Sequence, residues 1–303
     1  MDSFNYQFLY SVMIIAIGYI LKRAHIFKQK DGDSIARIIF NVTLPALLIY
    51  TFSDFQFKPS LFVLIIIGLV YGFFICFIGL FVFRKESRQT KGMLVMMMPG
   101  FNIGLFAYPL VEGIWGQEGI QHFGMLDVGN AFVIFGLSYF IGSYYSSGQA
   151  TLNVKTIPLK MSKSIPFMTY IGVCTLNIIG WQLPNIVVDV SSIVSKANMP
   201  LSLLLLGIYL SFTFEKSDRK LVLKYLGVRY LVGLAIGLVL FFLLPYDDMF
   251  KYTVLISLIL PTAISALPYA AEFNYNRKLI GTISNIMIII SFVLMWIIAN
   301  LIM

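Results

Sequence analysis

Two apolar stretches of the chain combine polar side chains with prolines that an unbroken helix does not accommodate. Residues 99–109 read Pro-Gly-Phe-Asn-Ile-Gly-Leu-Phe-Ala-Tyr-Pro, and residues 261–269 read Pro-Thr-Ala-Ile-Ser-Ala-Leu-Pro-Tyr. A proline removes a main-chain donor and clashes with the carbonyl four residues earlier, so we expect each helix to open near its middle. Main-chain groups freed inside a membrane must be covered by protein or face a water-filled cavity. These stretches therefore predict either a solute-binding site or two packing kinks.

The spacing of the two stretches favours a binding site over two independent kinks. Pro109 and Pro268 are 159 residues apart, which is also the offset between the two halves of the chain described below. Asn102 and Ser265 would add side-chain hydrogen bonds to a solute held there. The predicted substrate-binding residues are Asn102, Ile103, Gly104, Pro109, Thr262, Ser265, Ala266, Pro268 and Asn41. For Asn41, an interhelical hydrogen bond is the alternative role.

A third apolar stretch contains a carboxylate, Asp127, with Asn130 on the same helical face because residues three apart are neighbours. A carboxylate inside a membrane is costly unless it is paired, protonated or hydrated, so such a residue is a functional candidate. We predict that Asp127 and Asn130 couple solute binding to a proton or a cation. The alternative is that Asp127 lies at the membrane surface. Glu272 is a secondary candidate for ion coupling, although its position soon after Pro268 favours a helix end at water.

The composition defines the elements that must position these residues. Of the 303 residues, 59% are hydrophobic and only 12% are charged, and the mean hydropathy is +0.86. These values exclude a soluble globular protein. A helix needs about 20 apolar residues to cross a hydrocarbon layer of ~30 Å, and the apolar runs lack the period-two alternation of a membrane barrel. We predict an all-α polytopic membrane protein with ten transmembrane helices: Phe4 to Leu21, Ile35 to Phe52, Leu61 to Phe83, Met93 to Val111, Ile120 to Tyr144, Ile165 to Trp181, Ala197 to Phe214, Leu221 to Leu244, Tyr252 to Ala271 and Leu279 to Ile302.

The basic residues give these spans an orientation. With the N-terminus outside, all but three of the 22 Lys and Arg residues fall on the inside, the exceptions being Lys58, Lys196 and Lys251. This agrees with the positive-inside rule and predicts a multi-pass protein of the cell membrane, plasma or inner, with both termini outside. The net charge of +8 is therefore a topology signal rather than a sign of nucleic-acid binding. This assignment predicts no Lys or Arg in the middle of any span.

The spans also repeat along the chain. Their starts at 4, 35, 61, 93 and 120 return at 165, 197, 221, 252 and 279. Since five is an odd number, the second copy must enter the membrane from the opposite side. We therefore predict two inverted five-helix repeats, with broken helices four and nine. Their bounds are 1–148 and 165–303, and a cytoplasmic loop at 149–164 connects them.

The two proline-containing stretches resemble those of a known family, the auxin efflux carriers, which include plant auxin exporters and bacterial organic-acid permeases. The first stretch resembles the pattern Asn-x-Gly-x-x-Gly-x-Pro through Asn102, Gly104 and Pro109, with Ala107 in place of a glycine. The second resembles Pro-Thr-Gly-x-Asn-Ala through Pro261, Thr262 and Ala266, with Ala263 and Ser265 in place of Gly and Asn.

The resemblance covers essentially the whole chain. It implies ten helices in a fold of the bile acid/sodium symporter type, a crossover of two broken helices, and elevator-like alternating access. The Ser265 departure affects the symmetry of the site and hence the identity of the substrate.

These observations predict a secondary transporter of small organic anions of the carboxylate class, auxin-like or dicarboxylate. Uptake against an inside-negative potential would require a coupling ion, H⁺ or Na⁺. The alternatives are a membrane-embedded enzyme acting on a lipid or isoprenoid, and a ten-span sensor or receptor. We expect no enzyme activity, since the sequence contains no nucleophile–base pair. We also expect no metal or cofactor, because the chain has two Cys and two His without metal-ligand spacing. The apolar helix faces fit lipid or a second copy of the chain, so a homodimer stays open.

Overall fold

The regular secondary structure of the protein is helical in the residues described by a computed structural model, which are 3–55, 58–146, 156–211 and 218–302. The α-helices are α1 (Ser3–Arg23), α2 (Gln29–Ile38), α3 (Leu44–Phe52), α4 (Pro59–Val82), α5 (Arg88–Met97), α6 (Tyr108–Phe132), α7 (Tyr139–Tyr145), α8 (Thr156–Ser162), α9 (Ile165–Ile178), α10 (Asn185–Ser195), α11 (Asn198–Tyr209), α12 (Arg219–Leu243), α13 (Asp248–Ser257), α14 (Ala266–Glu272) and α15 (Arg277–Ile302). Three π-helical turns span Ile39–Thr43, Ile103–Ala107 and Val133–Ser138. Within the described ranges no strand forms, and the β-type pairing is one isolated antiparallel bridge between Phe101 and Thr262.

Six helical segments of the described chain are long and apolar enough to cross a membrane, so the protein is a multi-pass membrane protein. They are Lys30–Phe52, Pro59–Val82, Ile103–Tyr145, Asn185–Tyr209, Arg219–Leu243 and Arg277–Leu301. The apolar helix Ile165–Ile178 is shorter. Residues 149–155 of the predicted connecting loop and residues 212–214 at the end of the predicted seventh span lie outside the described residues.

The longest apolar segment, Ile103–Tyr145, contains 43 residues and is bent inside α6. Gly116 has φ 59° there, a left-handed conformation that glycine adopts without steric cost. The bend lies between the ends of the predicted fourth and fifth spans, at Val111 and Ile120.

Two short helices, α5 and α13, begin at side-chain caps and contain ten residues each. The Ser87 hydroxyl accepts a hydrogen bond from the Thr90 N–H at 3.2 Å, and the Asp247 carboxylate accepts one from the Phe250 N–H at 2.8 Å. Such caps satisfy main-chain donors that a helix N-terminus leaves free. Ten residues extend about 15 Å, roughly half of a hydrocarbon layer, so neither helix alone crosses a membrane.

The chain forms two compact units, and each takes residues from both halves of the sequence. Unit 1 contains Met1–Pro59, Gly104–Gly124 and Met161–Leu210, and unit 2 contains Ser60–Ile103, Met125–Lys160 and Ser211–Met303. The units therefore do not coincide with the predicted repeats 1–148 and 165–303. A repeat relates two sequences and need not be compact by itself, so the repeat boundaries stay a prediction.

In unit 1, α1 packs closely against α11. A Cβ atom added to Gly207 would lie 2.1 Å from the Ile15 carbonyl oxygen, and one added to Gly18 would lie 2.2 Å from the Leu204 carbonyl oxygen. The absence of side chains at these two positions lets the two backbones come into contact, which is typical of helix packing in membranes.

Candidate functional site

In unit 2, the chain is not helical after α5 and after α13. We call residues 98–102 and 258–265 the bridge region, because the two segments are joined there by antiparallel main-chain hydrogen bonds. The Asn102 N–H donates to the Pro261 carbonyl at 2.9 Å, and the Ala263 N–H donates to the Gly100 carbonyl at 3.3 Å. Helix α5 ends just before Met98, because the following Pro99 has no N–H to continue the helical hydrogen bonds. The freed main-chain groups are thus paired with each other.

Asn130 pairs the other edge of the first segment. Its side-chain oxygen accepts from the Phe101 N–H at 2.9 Å, and its Nδ2 donates to the Phe101 carbonyl at 3.0 Å. The second Nδ2 hydrogen bond goes to Asp127 Oδ1, also at 2.9 Å. Asn130 is 1% exposed and Asp127 is half-buried. The Asn130 amide therefore acts as one more strand residue would, and it connects Asp127 to the bridge region.

Thr262 also stabilises the bridge region, through a hydrogen bond from its hydroxyl to the Met97 carbonyl at 2.8 Å. The predicted residues Asn102, Ile103 and Ala266 are buried close by in the sequence, and Ser265 is half-buried. Of the predicted substrate-binding residues, unit 2 therefore contains Asn102, Ile103, Thr262, Ser265, Ala266 and Pro268.

Arg229 belongs to this site, although the charge pattern predicts it at the cytoplasmic face. It is fully buried in the middle of α12, the eleventh residue of 25. Its Nη2 donates to the Gly100 carbonyl at 2.9 Å, and its guanidinium carbon lies 4.7 Å from the centre of the Phe101 ring. The expectation of no Lys or Arg in the middle of a span is therefore wrong.

The error has a physical reason. Arg219, Lys220 and Lys224 precede Arg229 at the start of the same helix, so the positive-inside pattern assigns all four residues to one cytoplasmic connection. Helix α12 starts at Arg219, however, which places Arg229 about 15 Å along the helix axis. The signal in the sequence is that Arg229 is the ninth residue of the span predicted to start at Leu221.

Glu272 lies at the end of α14 in unit 2, with its side chain 41% exposed. Its carboxylate forms an ion pair with Lys160 at 2.7 Å and accepts a hydrogen bond from the Tyr139 hydroxyl at 2.8 Å. Pro268 is exposed, in the first turn of α14. Glu272 therefore has the surroundings of a helix end at water.

Three predicted residues belong to unit 1, so the structure does not group them with those of unit 2. Gly104 faces Leu44 and Phe40, and a Cβ added to it would lie 3.4 Å from Leu44 Cδ2. Pro109 is buried in the first turn of α6, where a proline is tolerated because its missing N–H has no helical partner. Pro109 and Pro268 thus lie after the two openings, whereas Pro99 and Pro261 lie within them. Asn41 is exposed, and its Nδ2 donates to the Arg37 carbonyl on the same helix at 2.7 Å.

Within the described residues, no group of three or more His, Cys, Asp or Glu side chains is placed to hold a metal ion. The site therefore consists of main-chain groups, amide and hydroxyl side chains, one carboxylate and one buried guanidinium. These groups can form hydrogen bonds and ion pairs.

The six long apolar helical segments of the described chain define a multi-pass membrane protein. Comparison with known proteins gives its family. The chain belongs to the membrane transport protein family, whose family model matches residues 7–165 and 169–301. This is the auxin efflux carrier-type family, so the resemblance seen in the sequence motifs is confirmed.

Two archaeal proteins are similar over most of their length. An uncharacterized transporter of Methanocaldococcus jannaschii is 24% identical over 305 residues, covering 95% of this chain and 97% of the relative. An uncharacterized transporter of Methanothermobacter thermautotrophicus is 24% identical over 280 residues, covering 89% of both chains. Family membership and these relatives support a transporter.

Proposed function

We propose that this protein is a secondary transporter of small organic anions of the carboxylate class, and that it binds them at the bridge region without changing them chemically. The bridge region is the observation that carries the proposal. A membrane helix satisfies its own main-chain groups, so an opening of this kind needs a reason beyond packing. Paired openings in a membrane transporter fit a solute site made partly of main-chain atoms.

The architecture that we propose has ten spans in two inverted repeats, with a crossover of two broken helices at the bridge region. Helices α5 and α13 support it, because they have the same length and their capping residues Ser87 and Asp247 are 160 residues apart. The bend at Gly116 supports two spans within Ile103–Tyr145. The orientation, with both termini outside the cell membrane, rests on the charge distribution.

Elevator-like alternating access is the transport mechanism that we propose, in which the solute site alternates between the two faces of the membrane. The division into two compact units is compatible with such a mechanism. A homodimer in the lipid bilayer is part of the same proposal.

Asp127 is the residue that we propose for coupling to H⁺ or Na⁺. At a potential of about 100 mV, each net charge experiences ~2.3 kcal/mol, which drives an uncoupled carboxylate outward. Uptake thus needs a cation, and the half-buried Asp127 is connected to the bridge region through Asn130. We expect Asp127→Asn to remove the dependence of uptake on a pH or Na⁺ gradient in proteoliposomes. The exposed Asp248→Asn is the matched control. Full gradient-driven uptake by Asp127→Asn would exclude this role.

Counterflow tests the transport function. Proteoliposomes loaded with one unlabelled carboxylate are diluted into a solution of the same compound carrying a label. The experiment is repeated with an aliphatic monocarboxylate, a dicarboxylate and an aromatic monocarboxylate. We expect at least one label to accumulate transiently and to be recovered unchanged. Failure of all three to accumulate, or recovery of an altered compound, would contradict the proposal.

Variants of the bridge region test the position of the site. Asn102→Ala and Ser265→Ala should each weaken binding of the transported carboxylate by about 10-fold or more, because a hydrogen bond to a charged group contributes about 1.5–3 kcal/mol. Asn300→Ala is the control, since Asn300 is exposed and bonds the Trp296 carbonyl of its own helix at 2.9 Å. Unchanged affinity in both bridge variants, with folding intact, would remove the bridge region as the binding site.

A further inference from the structure

Arg229 is a buried cation whose hydrogen-bonding capacity is only partly used. Nη2 donates to the Gly100 carbonyl, while Nε and Nη1 are buried without a hydrogen-bond partner. Within the described chain no carboxylate forms an ion pair with Arg229. A buried charge without an ion-pair partner is strongly unfavourable, and the contact with the Phe101 ring compensates only part of that cost.

The surroundings of Arg229 contain further hydrogen-bond donors. Tyr225 and Gly233 lie on the same face of α12, one turn before and one turn after Arg229. The Tyr71 hydroxyl is 3.4 Å from the position of a Cβ atom added to Gly233 and is itself buried without a hydrogen-bond partner. The Tyr71 ring stacks on Phe101, with 5.7 Å between ring centres. This part of unit 2 therefore has a positive charge and donors that lack acceptors.

Asp127, which is connected to the bridge region through Asn130, approaches the first segment from the edge opposite to Arg229. In an extended segment, successive residues direct their N–H and C=O groups to opposite edges. Phe101 is paired with Asn130, which carries the link to Asp127, whereas Gly100 is paired with Ala263 and Arg229. The negative and positive charges thus reach the segment from different edges.

We propose that Arg229 is the residue that makes the bridge region selective for anions. This inference rests on the proposed function and identifies the charge that would distinguish a carboxylate from a neutral solute of the same shape. The hydrogen bond to the Gly100 carbonyl fixes the position of the Arg229 guanidinium. Its positive charge acts on a solute at the bridge region through a medium of low dielectric constant. At a separation of about 8 Å and an effective dielectric constant of about 20, a monoanion is favoured about 30-fold over a neutral solute.

The test compares a transported carboxylate with its primary amide, which has nearly the same shape but no charge. Both compounds compete for counterflow of the labelled carboxylate in proteoliposomes. Their effect on the unfolding temperature is also measured in detergent. The variants are Arg229→Gln, which keeps a donor for the Gly100 carbonyl but loses the charge, and Arg229→Lys, which keeps the charge. Arg219→Gln, at the exposed start of the same helix, removes an equal charge and is the control.

For the wild-type protein and Arg219→Gln we expect the carboxylate to bind at least 10-fold better than the amide. Arg229→Gln should raise the KM for the carboxylate about 10-fold or more and leave binding of the amide unchanged, whereas Arg229→Lys should keep the preference. A purely structural role would weaken binding of both compounds alike. An unchanged preference in a folded Arg229→Gln variant would overturn the inference.

If Arg229→Gln does not fold, Arg229→Lys decides. Loss of the preference in a folded Arg229→Lys variant would overturn the inference, because the charge is retained. Failure of the proposed function has a different signature, since the wild-type protein itself would then show no carboxylate counterflow. In that case the unfolding temperature still reports whether the carboxylate stabilises the wild-type protein more than Arg229→Gln.

Discussion

Each of the two compact units buries an asparagine where a helix departs from regular geometry, but the two residues act differently. In unit 1, Asn198 is fully buried and accepts one hydrogen bond, from the Thr43 hydroxyl at 3.1 Å. Thr43 ends a π-helical turn that continues directly into α3. In unit 2, Asn130 bonds both main-chain groups of Phe101. A π-helical turn keeps its main-chain hydrogen bonds, whereas an open segment must obtain them from elsewhere.

The side-chain bonds of the bridge region follow from this difference. Asn130 and Arg229 bond main-chain atoms there, Thr262 bonds the Met97 carbonyl at the end of α5, and all three side chains are buried. The α1–α11 contact of unit 1 depends instead on two glycines. Polar side chains thus replace regular secondary structure at the bridge region, and small residues permit the close packing of α1 and α11.

The largest expected loss of stability is for Asn130→Ala. It leaves the N–H and the carbonyl of Phe101 without partners in a buried setting, and each such group costs about 1–3 kcal/mol. We expect a destabilisation of about 2–5 kcal/mol, measured by unfolding in detergent. Asn41→Ala is the matched control, because Asn41 is exposed and bonds its own helix. Equal stability of the two variants would contradict the conclusion that Asn130 stabilises the main chain of Phe101.

Gly207→Ala should have the next largest effect. The new methyl group would lie 2.1 Å from the Ile15 carbonyl oxygen, which is a main-chain atom and cannot move without displacing α1. Such overpacking costs about 1–3 kcal/mol. Gly227→Ala, at a position with no atom within 4 Å of the added Cβ, is the control for the substitution itself. A destabilisation no larger than that of the control would show that α1 and α11 are less closely packed.

Asn198→Ala should destabilise the protein by about 1 kcal/mol, less than Asn130→Ala, because one side-chain hydrogen bond is lost and no main-chain group is left unpaired. A double-mutant cycle with Thr43→Val isolates the pair. We expect a coupling energy of about 0.5–1.5 kcal/mol between the two positions. A coupling energy near zero would mean that the two side chains do not interact in the membrane protein.

Glu272→Gln should have the smallest effect, below about 1 kcal/mol, because exposed ion pairs are screened by solvent and salt. The loss should shrink further at high salt, and Lys160→Gln should give a loss of the same size. Counterflow should be unchanged. A Glu272→Gln variant of normal stability that loses ion-driven uptake would instead support a role of Glu272 in ion coupling.

The sequence predicted the main features of this protein that depend on local composition. Apolar runs gave the helical membrane class, and the motifs around Asn102 and Pro261 gave the family, which the family model confirms. The prolines located the two openings to within a few residues. They did not show whether Pro109 and Pro268 lie in an opening or after it, because a proline is also tolerated in the first turn of the following helix.

The contacts of the candidate residues could not be predicted from the sequence. Asn102 and Asn130 are both polar residues in apolar stretches, and nothing local shows that Asn130 bonds the main chain of a residue 29 positions earlier. Arg229 was misassigned for a similar reason, since its basic neighbours suggested a turn. The resemblance makes Glu272 a candidate, and Asn41 is one because it is a polar residue in an apolar span, although their own partners are Lys160 and the Arg37 carbonyl.

The sequence by itself determined that the chain enters a membrane as helices, because hydropathy and helix-breaking residues act over short distances along the chain. Only the tertiary structure decided which groups complete the openings. The hydrogen-bond partners of Phe101 and Gly100 come from α6, α12 and the segment after α13. Those partners are fixed by how the helices pack, and a buried charge such as Arg229 acquires its role only from what surrounds it.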